Sequence, residues 1–536
     1  LKKVLCCNIH RGIFWNNAYA KSNEFLNSRI RRWAVKRENP SDIQFRLFIL
    51  SAVVVGLALR IAMALDPNLR FSECYAWQIS TDLSNALLGA QPPLFPLLLA
   101  GWIKLFGQTP IALKMFSVLL GLPSIALIGT LGKRIAGREF GVLAAWLLAV
   151  HPLHAHLCAQ VDSYALFLSL FLGSALLLLG MLDKNQPDPF RAALLTTLLV
   201  AGLFTRSHFL LIFLLFVSYV FLFKRKNLAQ PGMKSQMITA FAIPLVAYLF
   251  YASVAWSQLM LYLGQLKGVE SALRFPGFAM LGWMEPLSFT TAFDLDGLTA
   301  GLTGFLFLGL ALFGFFIAVR KKDQIDPMAY VLTIGLFLMF FVASLAVPLL
   351  NEKVVWAWLP GTVFLYAFGV IAIGKRRWWA ALVVLALIGI VGIGLAAYQN
   401  VSKDYGWKKA PCWKSLIMEI GRDYSQGDVL IIEPSWESAS LFYHLGLDQD
   451  LSLRFGVPLP LIQIDPTTFP GASPLEIPQN AKRVFVIRAG NFSSRPVQDS
   501  LVSKGFTPGE YKPFFGISLD RYIRKSDAAP KVIDSF

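Results

Sequence analysis

Only 15% of the 536 residues are charged, so the position of each ionisable side chain carries information. Asp66, Glu73 and Asp82 follow the first long apolar run, and Asp162 stands at the mouth of a later one. Glu270, Glu285, Asp294, Asp296 and Glu352 lie between the runs after that. A few isolated cations accompany them: Arg60, Arg70, Arg206, Arg274 and Lys353. Charge close to a bilayer is costly and usually faces a cavity. A single carboxylate can take the proton of a hydroxyl nucleophile, and a cation can hold an anionic leaving group. Acids and sparse cations on one face therefore suit a site that handles an anionic lipid head group and a hydroxyl acceptor. For any single acid, a solvated interfacial side chain is the plainer reading, and for each cation a snorkelling one. His151, His154 and His156 crowd six residues and His208 lies beside Arg206, which invites a metal reading with Glu73 or Asp162. The irregular spacing around Pro152 argues against it; no metal ligand is assigned, and a divalent cofactor stays an open question. The five Cys form neither a zinc motif nor a disulfide framework, with Cys74–Cys158 pairing left open.

These residues must be held by apolar elements. The chain is 56% hydrophobic and carries 43 Phe and 14 Trp, too apolar for a disordered or ordinary soluble chain. The net charge of +17 lies mostly in clusters between apolar runs, which indicates membrane topology rather than nucleic acid. Reading for runs of about 20 apolar residues predicts eleven spans: 47–65, 111–131, 140–157, 164–182, 192–204, 209–223, 237–256, 298–319, 328–350, 354–373 and 378–397. With the basic first 46 residues cytoplasmic, fifteen Lys and Arg fall in the short inner loops and six in the longer outer ones, as positive-inside asymmetry requires. The first 46 residues contain no signal-peptide pattern. The expected organisation is a cytoplasmic tail, 1–46, and a transmembrane domain, 47–398, with a long outer loop, 66–110. An extracytoplasmic α/β domain, 399–536, follows. Its predicted elements are helices at 412–424 and 436–445 and strands at 429–433, 483–488 and around 511–522.

Within this frame several motifs become familiar. Residues 66–107 resemble the first outer loop of the bacterial membrane glycosyltransferases related to glycosyltransferase family 39. That is the protein-mannosyltransferase and lipid A aminoarabinose transferase group, with the GT-C fold. Ser72-Glu73 stands where the family has an Asp-Glu pair, and Gln91-Pro92-Pro93-Leu94-Phe95 is similar to its His-Pro-Pro-Leu-Tyr element. The amphipathic run 94–106, with Trp102 and Lys104, follows. The stretches 132–141, 151–154 with 160–166, Thr205-Arg206-Ser207-His208, Glu352-Lys353 to Leu359-Pro360, and 403–428 continue in family order. The similarity extends from about Leu47 to His444.

The resemblance implies an inner-membrane enzyme that moves a sugar from a polyprenyl-phosphate donor to an acceptor at the outer face, with inversion. Lipid phosphate is already a good leaving group, so one carboxylate base suffices, unlike the two of glycoside hydrolysis. Glu73 and Asp162 are the expected catalytic acids. Lys353 is the first phosphate ligand, with Arg60, Arg206 and Arg274 behind it, and Gln91, Tyr164 and His208 complete the substrate site. Membrane lipid, the donor and an unidentified acceptor are the partners. The chain departs from the family where Ser72 replaces the implied base and where Gln160 and Asp162 replace a Glu and an Arg. Glu73 takes over the base role, or Asp162 supplies the carboxylate with Glu73 assisting, or catalysis is lost and binding kept. The rivals are a catalytically silent subunit of a cell-envelope glycan pathway and a transporter of lipid-linked sugars. Against the transporter, the ionisable residues lie at span ends rather than at mid-membrane.

Overall fold

The computed structural model describes residues 40–256, 297–339 and 356–379, and in the C-terminal region 412–433, 438–446, 461–463, 475–489 and 495–525. Within these stretches there are gaps of one to four residues, and a few isolated positions are described outside them. Gln91, Arg274, Lys353 and most of the expected last span, 378–397, lie outside the described residues. The chain divides into two units, Leu1–Ser51 and Ala52–Phe536, and the candidate site lies wholly in the second.

Where the expected apolar runs are described, they are largely helical. Among the described residues, four helices are long and apolar enough to cross a membrane: Asp42–Ala64, Pro110–Ala136, Tyr164–Asp183 and Met233–Val254. Leu94–Phe106, Pro189–Leu203, Phe209–Phe223, Leu308–Arg320, Met328–Met339 and Leu359–Lys375 are shorter apolar helices. The runs 192–204 and 209–223 are separate helices, parted by the turn at Thr205–His208.

Local chemistry sets the boundaries that matter for the site. Helix Pro110–Ala136 starts on Thr109, whose hydroxyl accepts the Ala112 N–H at 3.3 Å, with Pro110 in the first turn. It ends at Gly137, whose φ of +100° permits an immediate reversal into helix Arg138–Val150. The two pack so closely that a Cβ on Gly141 would lie 2.3 Å from the Gly129 carbonyl oxygen.

One expected span needs correction. The run 140–157 is not a single helix but breaks between Arg138–Val150 and Pro152–Cys158. Pro152 has no N–H for the preceding turn and its ring crowds the carbonyl four residues back, which favours a break there, although Pro123 and Pro244 sit inside continuous helices. Helix Tyr164–Lys184 then runs about 30 Å from Asp162 to Asp183. At its far end Arg134 pairs with Asp183 at 2.7 Å, while Lys224 lies 3.0 Å and the Tyr219 hydroxyl 2.9 Å from Asp326.

The C-terminal region folds as a five-stranded mixed sheet in the order β2-β1-β3-β5-β4. Its strands are β1, Val429–Glu433; β2, Leu461–Gln463; β3, Arg483–Ala489; β4, Phe506–Phe514; and β5, Ile517–Arg524. β1 pairs parallel with β2 and β3, and β3–β5 and β5–β4 are antiparallel. Alternation along the strands builds two cores. Leu430, Ile432, Phe485, Ile487 and Leu519 meet helices Trp413–Asp423 and Ser438–Gly446. Val429, Ile431, Val484, Val486 and Tyr522 meet Val497 and Leu501 of helix Arg495–Ser503 on the other side. β1 is buried on both faces, as a central parallel strand should be.

Candidate functional site

The helix break at His151 delivers a tight turn, residues 159–163, between Pro152–Cys158 and Tyr164–Lys184. Glu73, in the first turn of helix Phe71–Thr81, holds that turn. Its Oε1 accepts the Val161 N–H at 3.0 Å, and its Oε2 accepts the Arg70 N–H at 2.8 Å. The carboxylate is 2% exposed. Both oxygens thus satisfy backbone donors, one at its own helix start and one 88 residues away. Arg70 Nη1 lies 3.4 Å from His156 Nε2, which the Gln160 amide also approaches at 2.6 Å. Burial lowers the Arg70 pKa, and the nearby Glu73 and Asp66 carboxylates oppose that shift.

Asp162 and Arg206 meet directly. Arg206 Nη2 forms a salt bridge with Asp162 Oδ1, Nε donates to Ser163 Oγ at 2.6 Å, and Nη1 donates to the Tyr164 hydroxyl at 2.9 Å. The guanidinium carbon also sits 3.6 Å from the Tyr164 ring centroid, a favourable cation–π geometry. Asp162 Oδ1 accepts the Ser163 N–H at 2.6 Å and its hydroxyl at 3.2 Å. The two charged side chains retain 14% and 20% exposure, respectively, so the pair is sheltered but reachable. His208, in the same turn as Arg206, is pulled down to about 4, first by burial and then by the Arg206 charge; at neutral pH it is uncharged.

The other sequence candidates are dispersed. Arg60 is fully buried. It donates to the carbonyls of Gly56 at 2.6 Å, Ala149 at 2.9 Å and Leu148 at 3.2 Å, and pairs with His154 Nδ1. It thereby closes the C-terminal end of helix Arg138–Val150, where carbonyls lack helical partners. With Nδ1 accepting from Arg60, a neutral His154 carries its proton on Nε2, 2.9 Å from Ser124 Oγ. That assignment comes from the hydrogen-bond network and leaves His154 no lone pair to act as a base toward Cys158, 3.6 Å away. A small cavity beside His154 and Cys158 is lined by Leu157, Tyr164, Phe167 and Leu359. Cys74 and Cys158 are both buried and form no disulfide with each other. Among the described residues, no three His, Cys, Asp or Glu side chains converge as metal ligands.

Sequence reasoning brought Asp162, Arg206, Tyr164 and Glu73 to attention, and the structure places all four around one turn. It did not place Ser163 in the site, and it named His156 only in a metal reading and Gln160 only as a departure from the family pattern. Gln160 reaches His156 from the turn just beyond the helix that ends at Cys158.

A long apolar helix bundle, a broken helix presenting an acid–cation pair and a terminal α/β domain define the class. The chain has the GT-C glycosyltransferase fold. ArnT from Cupriavidus metallidurans, in the apo state, superposes with a TM-score of 0.55 at 13% identity, covering 90% of this chain and 98% of that one. The same enzyme bound to undecaprenyl phosphate gives 0.55 at 13% identity, covering 89% and 97%. The oligosaccharyltransferase AglB from Archaeoglobus fulgidus, in complex with an inhibitory peptide and a dolichol-phosphate, gives 0.53 at 11% identity, covering 91% and 75%. In sequence, residues 90–256 match the profile of the family described as dolichyl-phosphate-mannose-protein mannosyltransferase; this bears out the resemblance over that stretch, which excludes Ser72-Glu73 and the motifs after residue 256. No curated protein sequence matches the chain.

Proposed function

We propose that this protein transfers a sugar from a polyprenyl-phosphate carrier to an acceptor hydroxyl at the outer face of a membrane, with Asp162 as general base and Arg206 as phosphate ligand. The supporting observation is their direct pairing in a sheltered, reachable turn. At rest the two charges neutralise each other. The donor phosphate competes for the guanidinium, and the released carboxylate takes the acceptor proton. The acceptor oxygen bonds to the anomeric carbon with inversion. The carbon–oxygen bond to phosphate breaks, its electron pair leaving on the phosphate that Arg206 holds.

Glu73 is assigned a positioning role, because both its oxygens are occupied by backbone amides. Arg60 is assigned to the helix end rather than to phosphate. Gln91, Arg274 and Lys353 are retained as substrate contacts on sequence grounds, with His208 as a neutral neighbour. The family profile and the fold support lipid-linked sugar transfer in general. The outward placement of residues 399–536 rests on the charge asymmetry of the loops.

A radiolabelled polyprenyl-phosphate-sugar assay in membranes tests the reading. Asp162→Asn is expected to lower turnover by about 10²–10⁴-fold, and Glu73→Gln by about tenfold. The reverse ranking would move the base to Glu73. Wild-type rates in both variants would exclude carboxylate catalysis from this site.

A further inference from the structure

The C-terminal domain is joined to the scaffold of the site. Its helix Ser438–Gly446 packs on helix Phe71–Thr81, and Ala439 and Tyr443 are buried in one cluster with Leu69, Cys74, Ala76 and Val161. The Tyr443 hydroxyl donates to the Gln108 carbonyl at 2.9 Å, and its ring meets Trp77 edge-on with centroids 5.0 Å apart. The Trp77 indole in turn donates to Gln108 Oε1 at 3.1 Å. His444 follows Tyr443, 6% exposed, its charge state set by burial beside the Leu69 backbone, and its Nε2 has no hydrogen-bond partner among the described residues. Lys114 of helix Pro110–Ala136 donates to the carbonyls of Asp66 at 2.7 Å and Asn68 at 2.9 Å. Residues 68–70 are therefore gripped between a helix of the apolar bundle and a helix of the terminal domain. They run straight into the Arg70–Glu73 cap that fixes Val161 and, one residue on, Asp162.

We propose that Tyr443 and His444 are positioning residues, through which the C-terminal domain holds residues 68–81 and, by way of Glu73, the Asp162 turn. An accessory domain that only recruits an acceptor has no need to bury a tyrosine and a histidine against the segment that aims the catalytic acid. Side chains hold a reacting geometry only when their supports are themselves locked by packing and hydrogen bonds. The catalytic consequence rests on the sugar-transfer reading; the mechanical one does not.

Hydrogen exchange on the full chain in lipid nanodiscs, with mass-spectrometric readout, separates the two. In Tyr443→Ala, peptides covering 68–81 and 159–163 are expected to exchange at least tenfold faster while β1 and β3 stay protected. In Tyr443→Phe, which keeps the ring against Trp77, the increase is expected to stay below threefold. His444→Gln gives an independent loosening at 68–70. Unchanged protection of 68–81 in Tyr443→Ala overturns the proposal. So does loosening confined to the terminal domain. In the transfer assay, Tyr443→Ala is expected to lower kcat about tenfold with donor KM within twofold, and Tyr443→Phe to restore it. If exchange responds as expected but the wild type transfers no sugar, the functional reading falls and the positioning stands. If kcat falls with exchange at 68–81 unmoved, the positioning is wrong.

Discussion

Asp162, Arg206, Ser163 and Tyr164 are arranged so that each constrains the next, and removing one alone strands its partner. Arg206→Gln leaves a sheltered carboxylate that keeps the Ser163 donors, and Asp162→Asn takes from the guanidinium its Asp162 counter-charge. Breaking such a pair costs more than its net worth, because the remaining charge keeps its desolvation penalty. The double variant Asp162→Asn with Arg206→Gln is therefore expected to be more stable than the sum of the single effects predicts. Thermal unfolding of the four proteins in detergent checks this; strict additivity would mean the pair is solvated and uncoupled.

Two histidines add a pH signature. His208 and His444 are each pulled down to about 4, chiefly by burial. An unfolded imidazole titrates near 6.5, so above that pH neither residue contributes a pH dependence. As pH falls from about 6.5 toward 4 the unfolded chain takes up protons that the folded one refuses, and stability drops. For the nearly fully buried His444 the loss at pH 5 is on the order of 2 kcal/mol. His444→Gln is expected to flatten the fall in apparent Tm between pH 7.5 and 5, and an unchanged slope would show that His444 is hydrated.

At the scale of elements, the decisive feature is the broken helix. Pro152 interrupts the run, Arg60 donates to the carbonyls of Ala149 and of Leu148, which also accepts the His151 N–H, and His154 and Ser124 extend the network to helix Pro110–Ala136. Arg60→Met is expected to destabilise the protein by about 1–3 kcal/mol, because the buried Ala149 carbonyl loses its donor, read as a lower apparent Tm. A phosphate ligand would instead give a stable protein with raised donor KM. Close approach at Gly121 packs the same corner. A Cβ there would lie 2.3 Å from Cys158 Sγ. Gly121→Ala is expected to cost about 1–3 kcal/mol, with Cys158→Ala recovering part of it. If Cys158→Ala recovers nothing, the strain lies elsewhere.

Across the whole molecule, the apolar runs were legible because a hydrocarbon solvent demands about 20 apolar residues per span. The alternation of basic loops carries an expected orientation. Helix Leu94–Phe106 and strand Val429–Glu433 have the boundaries read from sequence, since each is a compact apolar run closed by polar or turn residues. The break at His151 was hidden because apolar residues continue on both sides of Pro152. The strand pair Phe506–Phe514 and Ile517–Arg524 was read as one strand region. β2, three residues long, and helix Arg495–Ser503 carry too little pattern to be seen. Site membership was legible only as local adjacency. Glu73 and Asp162 could be named as acids, but the bond from Val161 to Glu73 spans 88 residues and that from Tyr443 to Gln108 spans 335. No spacing rule reaches such distances.

The account centres on a lipid phosphate competing with Asp162 for Arg206. Titrating purified protein with undecaprenyl phosphate by native mass spectrometry tests this with no knowledge of the sugar or the acceptor. Arg206→Gln is expected to raise the Kd at least tenfold, while Asp162→Asn, which removes the competitor, lowers it. Equal affinity in the wild type and both variants would contradict the account.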